Sequence, residues 1–128
     1  MILIFGGAYQ GKLDYALERF GLDESEVYNC GGAADIPGGK KIVRGIDRWV
    51  LALVRAGAGI ADIEKAAGQF IETNPGAIVT CDDISCGVVP LDPVMRRWRE
   101  AAGKTLAKLA QASEEVIRMF CGIPTRLK

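Results

Sequence analysis

Residues 6–12 read Gly-Gly-Ala-Tyr-Gln-Gly-Lys and fit the pattern G-x-x-x-x-G-K. Context gives the pattern weight. The unbroken apolar run Ile2–Phe5 precedes it, as a strand buried on both faces requires. After it, Leu13, Ala16, Leu17 and Phe20 recur at the spacing of one helix face, and Gly21 stops the helix. A buried strand, a glycine-rich turn and a helix in that order constrain the chain to an α/β fold. Small residues let the loop amides turn towards a phosphate, the following helix adds its positive end, and Lys12 supplies a full charge. Gly6, Gly7, Ala8, Tyr9, Gln10, Gly11, Lys12 and Leu13 are thus the candidate nucleotide-binding residues. The plainer alternative is a glycine-rich β–α turn with an exposed lysine. Leu13 stands where a phosphate loop with a metal needs Ser or Thr, so the cradle is expected without that metal ligand.

The remaining chain repeats the alternation. Glu26–Cys30 reads as a strand, residues 31–39 as a loop, and Lys41–Val43 as a short strand. Helices are expected near Gly45–Ala56 and Ile60–Thr73, a turn at Asn74–Gly76, and a strand at Ala77–Cys81. Asp92 as N-cap and Pro93 at the first position open the longest helix, with Val94, Trp98, Ala102, Leu106 and Leu109 inward. Its outer face carries Arg96, Arg97, Arg99, Lys104 and Lys108. Glu115–Phe120 is a strand, and Thr125–Lys128 a further short one. Strands alternating with helices predict a mainly parallel sheet in a P-loop NTPase-like three-layer fold, spanning residues 1–128 as a single domain. Ligands of such sheets sit at the carboxyl ends of the strands.

Composition excludes several classes. Sixteen basic residues balance sixteen acidic ones, which argues against a general nucleic-acid binder. The chain has no histidine, which removes the usual neutral-pH base and the commonest metal ligand. No apolar run approaches the ~20 residues of a membrane span, and the start lacks a signal-peptide pattern, so a cytoplasmic protein is expected. Cys30, Cys81 and Cys121 fall at or just past strand ends, with Cys86 in the next loop. Converging, they could bind Zn²⁺ or sense redox state; the plainer reading is small apolar side chains. Trp49 and Trp98 read as core or interface anchors. The arginine cluster 96/97/99 reads as a solvated face, or as a surface for phosphates or a partner. Asp82-Asp83 follow a strand; adjacent side chains point apart, so at most one faces a ligand.

Several stretches resemble one family. Gly6-Gly-Ala-Tyr-Gln-Gly-Lys-Leu13 is similar to G-G-A-R-S-G-K-S. Thr80-Cys-Asp-Asp-Ile-Ser-Cys-Gly-Val-Val-Pro90 aligns without a gap with V-T-N-E-V-G-x-G-I-V-P. Arg96-Arg-Trp-Arg-Glu-Ala-Ala-Gly103 matches R-x-F/W-R-[DE]-x-x-G. Lys108–Val116 matches Q-x-L-A-x-x-[AS]-[DE]-E-V in part, and Cys121-Gly-Ile-Pro-Thr-Arg-Leu-Lys128 matches S-G-I-P-x-x-L-K. In this order the motifs resemble the adenosylcobinamide kinase / adenosylcobinamide-phosphate guanylyltransferase family of cobalamin nucleotide-loop assembly.

The resemblance implies ATP or GTP as nucleotide, a cobinamide-type corrinoid as partner, a homotrimer, and catalytic roles for Lys12 and Asp83, the latter where the family has Glu. Departures from the family pattern are equally informative. Family members are longer after the second strand, where they carry the histidine that is guanylylated. The family's D-C-L-T-x-W segment corresponds to Arg44-Gly-Ile-Asp-Arg-Trp49, so its acidic Mg²⁺ residue becomes Arg44. With Leu13, this removes both protein ligands of the metal; Asp47 is a substitute by proximity alone. The sequence therefore leaves three readings: a reduced family enzyme, a pseudoenzyme that binds nucleotide, corrinoid or a partner protein without turnover, and a thiol or metal module.

Overall fold

Ile2–Phe5 carries no polar residue because it runs through the middle of a sheet. The computed structural model describes residues 1–128. In chain order the elements are β1 (Ile2–Gly6), α1 (Lys12–Phe20), a 3-10 turn (Glu24–Glu26), β2 (Val27–Asn29), β3 (Ile42–Arg44) and α2 (Ile46–Arg55). Then follow α3 (Ile60–Thr73), β4 (Ile78–Asp82), α4 (Pro93–Ala112), β5 (Glu115–Phe120) and β6 (Ile123–Arg126). The strands form one sheet of order β2-β3-β4-β1-β5-β6. All neighbours are parallel except β5 and β6, which pair as an antiparallel hairpin. This is the mainly parallel, P-loop-like α/β architecture expected.

Two apolar layers hold the sheet. On one face α2, α3 and α4 bury Leu3, Val43, Trp49, Phe70, Val79 and Leu109, with the Trp49 and Phe70 rings 5.8 Å apart. On the other, α1 alone covers Ile4, Ile42, Ile78 and Ile117 with Ala16, Leu13 and Leu17. No helix is long and apolar enough to cross a membrane.

Register decides what reaches the carboxyl rim. Gly6 lies opposite Asp82 on one side and Met119 on the other, and Arg44 lies opposite Thr80. The loop after β1, the end of β4 and the end of β3 therefore meet along one edge, with α1 and α2 both starting there.

Three details differ from the sequence expectation. Asp92 caps α4 by accepting from the Val94 amide at 2.8 Å, and Pro93 opens the helix, as expected. But Val94 is exposed: Trp98 is the first side chain of α4 to pack against the core, and the fully buried positions of the helix begin at Ala101. Arg99 is not on a solvated face: its Nε donates to the Ser85 carbonyl at 2.9 Å and its Nη2 to the Gly87 carbonyl at 2.8 Å, tying the segment after β4 to α4. The last strand begins at Ile123 rather than Thr125. Cys121 and Gly122 both take positive φ, 51° and 74°, and make a tight two-residue hairpin turn.

Candidate functional site

The site begins with loop geometry. Gly6, Tyr9 and Gly11 adopt positive φ (156°, 58° and 82°), so the chain curls between β1 and α1. No backbone or side-chain acceptor in the protein takes the amides from Gly7 through Asp14. Gly11 is the N-cap of α1 and has no side chain to cap it. Consecutive free amides opening a helix are the arrangement that accepts an anion.

Lys12, at the first position of α1, is only 8% exposed. Its Nζ donates to the Gly7 carbonyl at 2.6 Å and the Gly6 carbonyl at 3.4 Å, and pairs with Asp82 Oδ1 at 2.7 Å. The ammonium is thus held at the loop rather than extended into solvent. The loop is braced from the other side, where Gln10 Oε1 accepts from the Cys121 amide at the β5–β6 turn.

A cleft of about 380 Å³ adjoins the loop. It is lined by the loop residues from Ala8 onward, by Leu13 and Asp14, and by Arg44, Gly45, Arg48, Thr80 and Asp82 across the rim. Gly45 is the N-cap of α2 at φ 76°, again without a side-chain cap, and its amide donates to the Thr80 carbonyl and hydroxyl at 3.0 and 3.2 Å. Two helices therefore open onto one cleft that also holds three cations.

Of the expected nucleotide-binding residues, Ala8, Tyr9, Gln10, Gly11, Lys12 and Leu13 line the cleft, while Gly6 and Gly7 supply the carbonyls that hold Lys12. Asp83 lies elsewhere. Its Oδ1 accepts from the Ser85 amide and hydroxyl at 3.2 and 2.7 Å, and its Oδ2 from Cys86 Sγ at 3.5 Å, so the carboxylate caps its own turn. The carboxylate beside Lys12 is Asp82. Arg48 went unmarked in the sequence; its only signal was a position one helical turn after Arg44, just past a strand end.

Asp47 stands behind this pair. It is buried, its Oδ1 accepts from the Asp82 amide at 3.0 Å, and its carbonyl accepts from Trp98 Nε1 at 2.7 Å. Trp98, Asp47, Asp82 and Lys12 form one chain from α4 to the loop. Burial, helped by the nearby Asp82 charge, raises the Asp47 carboxyl above its ordinary range, against the hydrogen bond from the Asp82 amide. A carboxyl raised on folding contributes its full stability below the unfolded carboxylate range and loses it as pH rises through the folded value. Asp47→Asn keeps an acceptor for the Asp82 amide and removes the buried charge. It is expected to stabilise the protein at pH 7 by on the order of 1 kcal/mol, with the gain fading at acid pH. Urea unfolding at both pH values checks this.

The residues present do not fit a divalent cation. Leu13 offers no oxygen, Arg44 brings a positive charge, Asp82 is taken by Lys12, Asp47 is buried against the Asp82 amide, and Asp14 is left as a single unpaired carboxylate, too few to hold the ion. No group of three or more His, Cys, Asp or Glu is placed to hold a metal ion. The cysteines form no such group either. Cys30 and Cys81 are buried, Cys86 and Cys121 exposed. Burial pushes the Cys30 thiol up to about 12, and burial beside Asp47 raises that of Cys81 as well.

The family described as cobinamide kinase / cobinamide phosphate guanyltransferase matches residues 42–127, more than half of the chain. The match spans β3 to β6, including Arg44, Arg48 and Asp82; the loop at residues 6–12 precedes it. No curated protein matches the chain.

Proposed function

Because this chain belongs to the cobinamide kinase / cobinamide phosphate guanyltransferase family, we propose that it binds the phosphate chain of ATP or GTP in the cleft between the Gly6–Lys12 loop and Arg44–Arg48. The observation that carries this reading is the run of amides from Gly7 through Asp14 without a protein acceptor, beside the buried ammonium of Lys12. Orphan donors of that kind are satisfied by water or by an anionic ligand, and charge-assisted bonds to phosphate are the stronger of the two.

In this reading Lys12 trades part of its contact with Asp82 for a terminal phosphate oxygen, and Asp82 keeps the ammonium in place between ligands. Asp47 and Trp98 position Asp82 through its amide. The chain holds nucleotide without passing a guanylyl group to histidine, since it contains none. Phosphoryl transfer also lacks its usual electrostatic support, because Asp82 and Asp47 are committed to protein partners and Asp14 alone remains unpaired on the cleft. The reading is thus a nucleotide-binding member of a cobalamin-pathway transferase family. A second reading, kinase activity towards a cobinamide-type corrinoid, draws on family membership.

Titration of the protein with ATP and GTP, followed by intact-mass measurement after incubation with GTP, tests the proposal. Binding without any guanylyl adduct is expected. A protein that takes up neither nucleotide, or one that gains the mass of a guanylyl group, would contradict it. ADP formed in proportion to added cobinamide would establish the second reading.

A further inference from the structure

We propose that Arg44 and Arg48 replace a divalent cation in this cleft, so that it takes a bare di- or triphosphate chain and not a metal complex of one. The inference rests on the phosphate-binding reading above and extends it to the ionic form of the ligand.

A polyphosphate carries several negative charges and needs them neutralised where water is partly excluded. The charges available come from the protein. Arg44 ends β3, and Arg48 lies one turn into α2, both exposed and both lining the cleft opposite the loop. No salt bridge engages either. Arg44 makes one long hydrogen bond, 3.4 Å from Nη1 to Asn29 Oδ1. Gly45 lies between them, and the Arg48 stem passes beside it: a Cβ on Gly45 would stand 3.4 Å from Arg48 Cδ, in ordinary contact. Two carboxylates, Asp14 and Asp82, also face the cleft, and Asp82 is paired with Lys12.

The guanidinium fork is always charged and grips phosphate oxygens two at a time. A divalent ion entering here would meet two such groups and a single unpaired carboxylate, Asp14, because Asp82 is paired with Lys12 and Leu13 offers no oxygen. Lys12 on one wall and two arginines on the other leave a path between them for a chain of phosphates.

Inorganic triphosphate is the probe, since it has no base or sugar to bind elsewhere. Its affinity is measured calorimetrically in EDTA and in excess Mg²⁺. The expected result is binding in EDTA that Mg²⁺ leaves unchanged or weakens, because metal-complexed phosphates have less charge to offer the arginines. Arg44→Gln and Arg48→Gln are each expected to lower the affinity in EDTA about tenfold. Both positions are exposed, so unchanged melting temperatures confirm that the variants are folded. Binding that Mg²⁺ tightens tenfold or more overturns this inference while leaving the phosphate site intact. Unchanged affinity in the Arg44→Gln/Arg48→Gln double variant overturns it too. Absence of binding in both conditions overturns the phosphate reading and this inference together.

Discussion

A Gly6→Ala variant is expected to lose about 3 kcal/mol of stability. A Cβ on Gly6 would lie 2.3 Å from the Met119 carbonyl oxygen and 3.2 Å from its carbon, well inside van der Waals contact. The obstacle is backbone, not a side chain that can turn away. Met119 is the register partner of Gly6 in the parallel β1–β5 pair, and its side chain is buried in the α1 layer. Strand spacing in a sheet is fixed near ~4.8 Å by the hydrogen bonds, so relief must come from breaking the ladder where it meets the loop. Gly6 also holds φ at 156°, which alanine rarely adopts. Thermal unfolding should fall by roughly 10 °C, and phosphate binding should weaken with it as the loop loses its anchor. A loss under about 1 kcal/mol would mean that the strand end can spread and that the loop is not built on a close approach.

Lys12→Met is expected to lower triphosphate affinity ten- to a hundredfold, the range set by removing one or two charge-assisted bonds. Methionine keeps the length of the buried stem, so the loss reports on charge. The same change strands Asp82, whose side chain is 27% exposed, without its counter-ion. Leaving a fully buried partner unpaired costs about 3–5 kcal/mol; partial solvation of Asp82 reduces this to about 1–2 kcal/mol. Lys12→Met combined with Asp82→Asn should recover most of that stability and none of the affinity. Calorimetry and urea unfolding on the same samples separate the two effects. Affinity retained by Lys12→Met would remove the lysine from the binding account.

The sequence carried the fold well where hydrophobic period and punctuation agreed. Ile60–Thr73 was legible to the residue because Ile63, Ala67 and Phe70 mark a helix face between Gly59 and Asn74. The loop and its strand–turn–helix context were equally plain. Which member of Asp82-Asp83 faces Lys12 was not, since alternation along a strand says only that they diverge. The register of Gly6 against Asp82 settles that, and register is a property of three strands distant in sequence. Arg48 was hidden for a similar reason: it belongs to the cleft only because β3 lies next to β4 and α2 starts at the same rim as α1. The hairpin at Cys121-Gly122 was missed because a cysteine at positive φ is not a turn signal. Val94 fits the apolar period of its helix but not its burial, because packing of that helix against the core starts at Trp98.

The direct test of the account is a titration of ¹⁵N-labelled protein with inorganic triphosphate, followed by amide chemical shifts. The amides from Gly7 through Asp14 should move most, with smaller shifts at Arg44 through Arg48 and little change in β6. Shifts confined to other parts of the surface, or none at saturating triphosphate, would show that the free amides of this loop do not bind an anion.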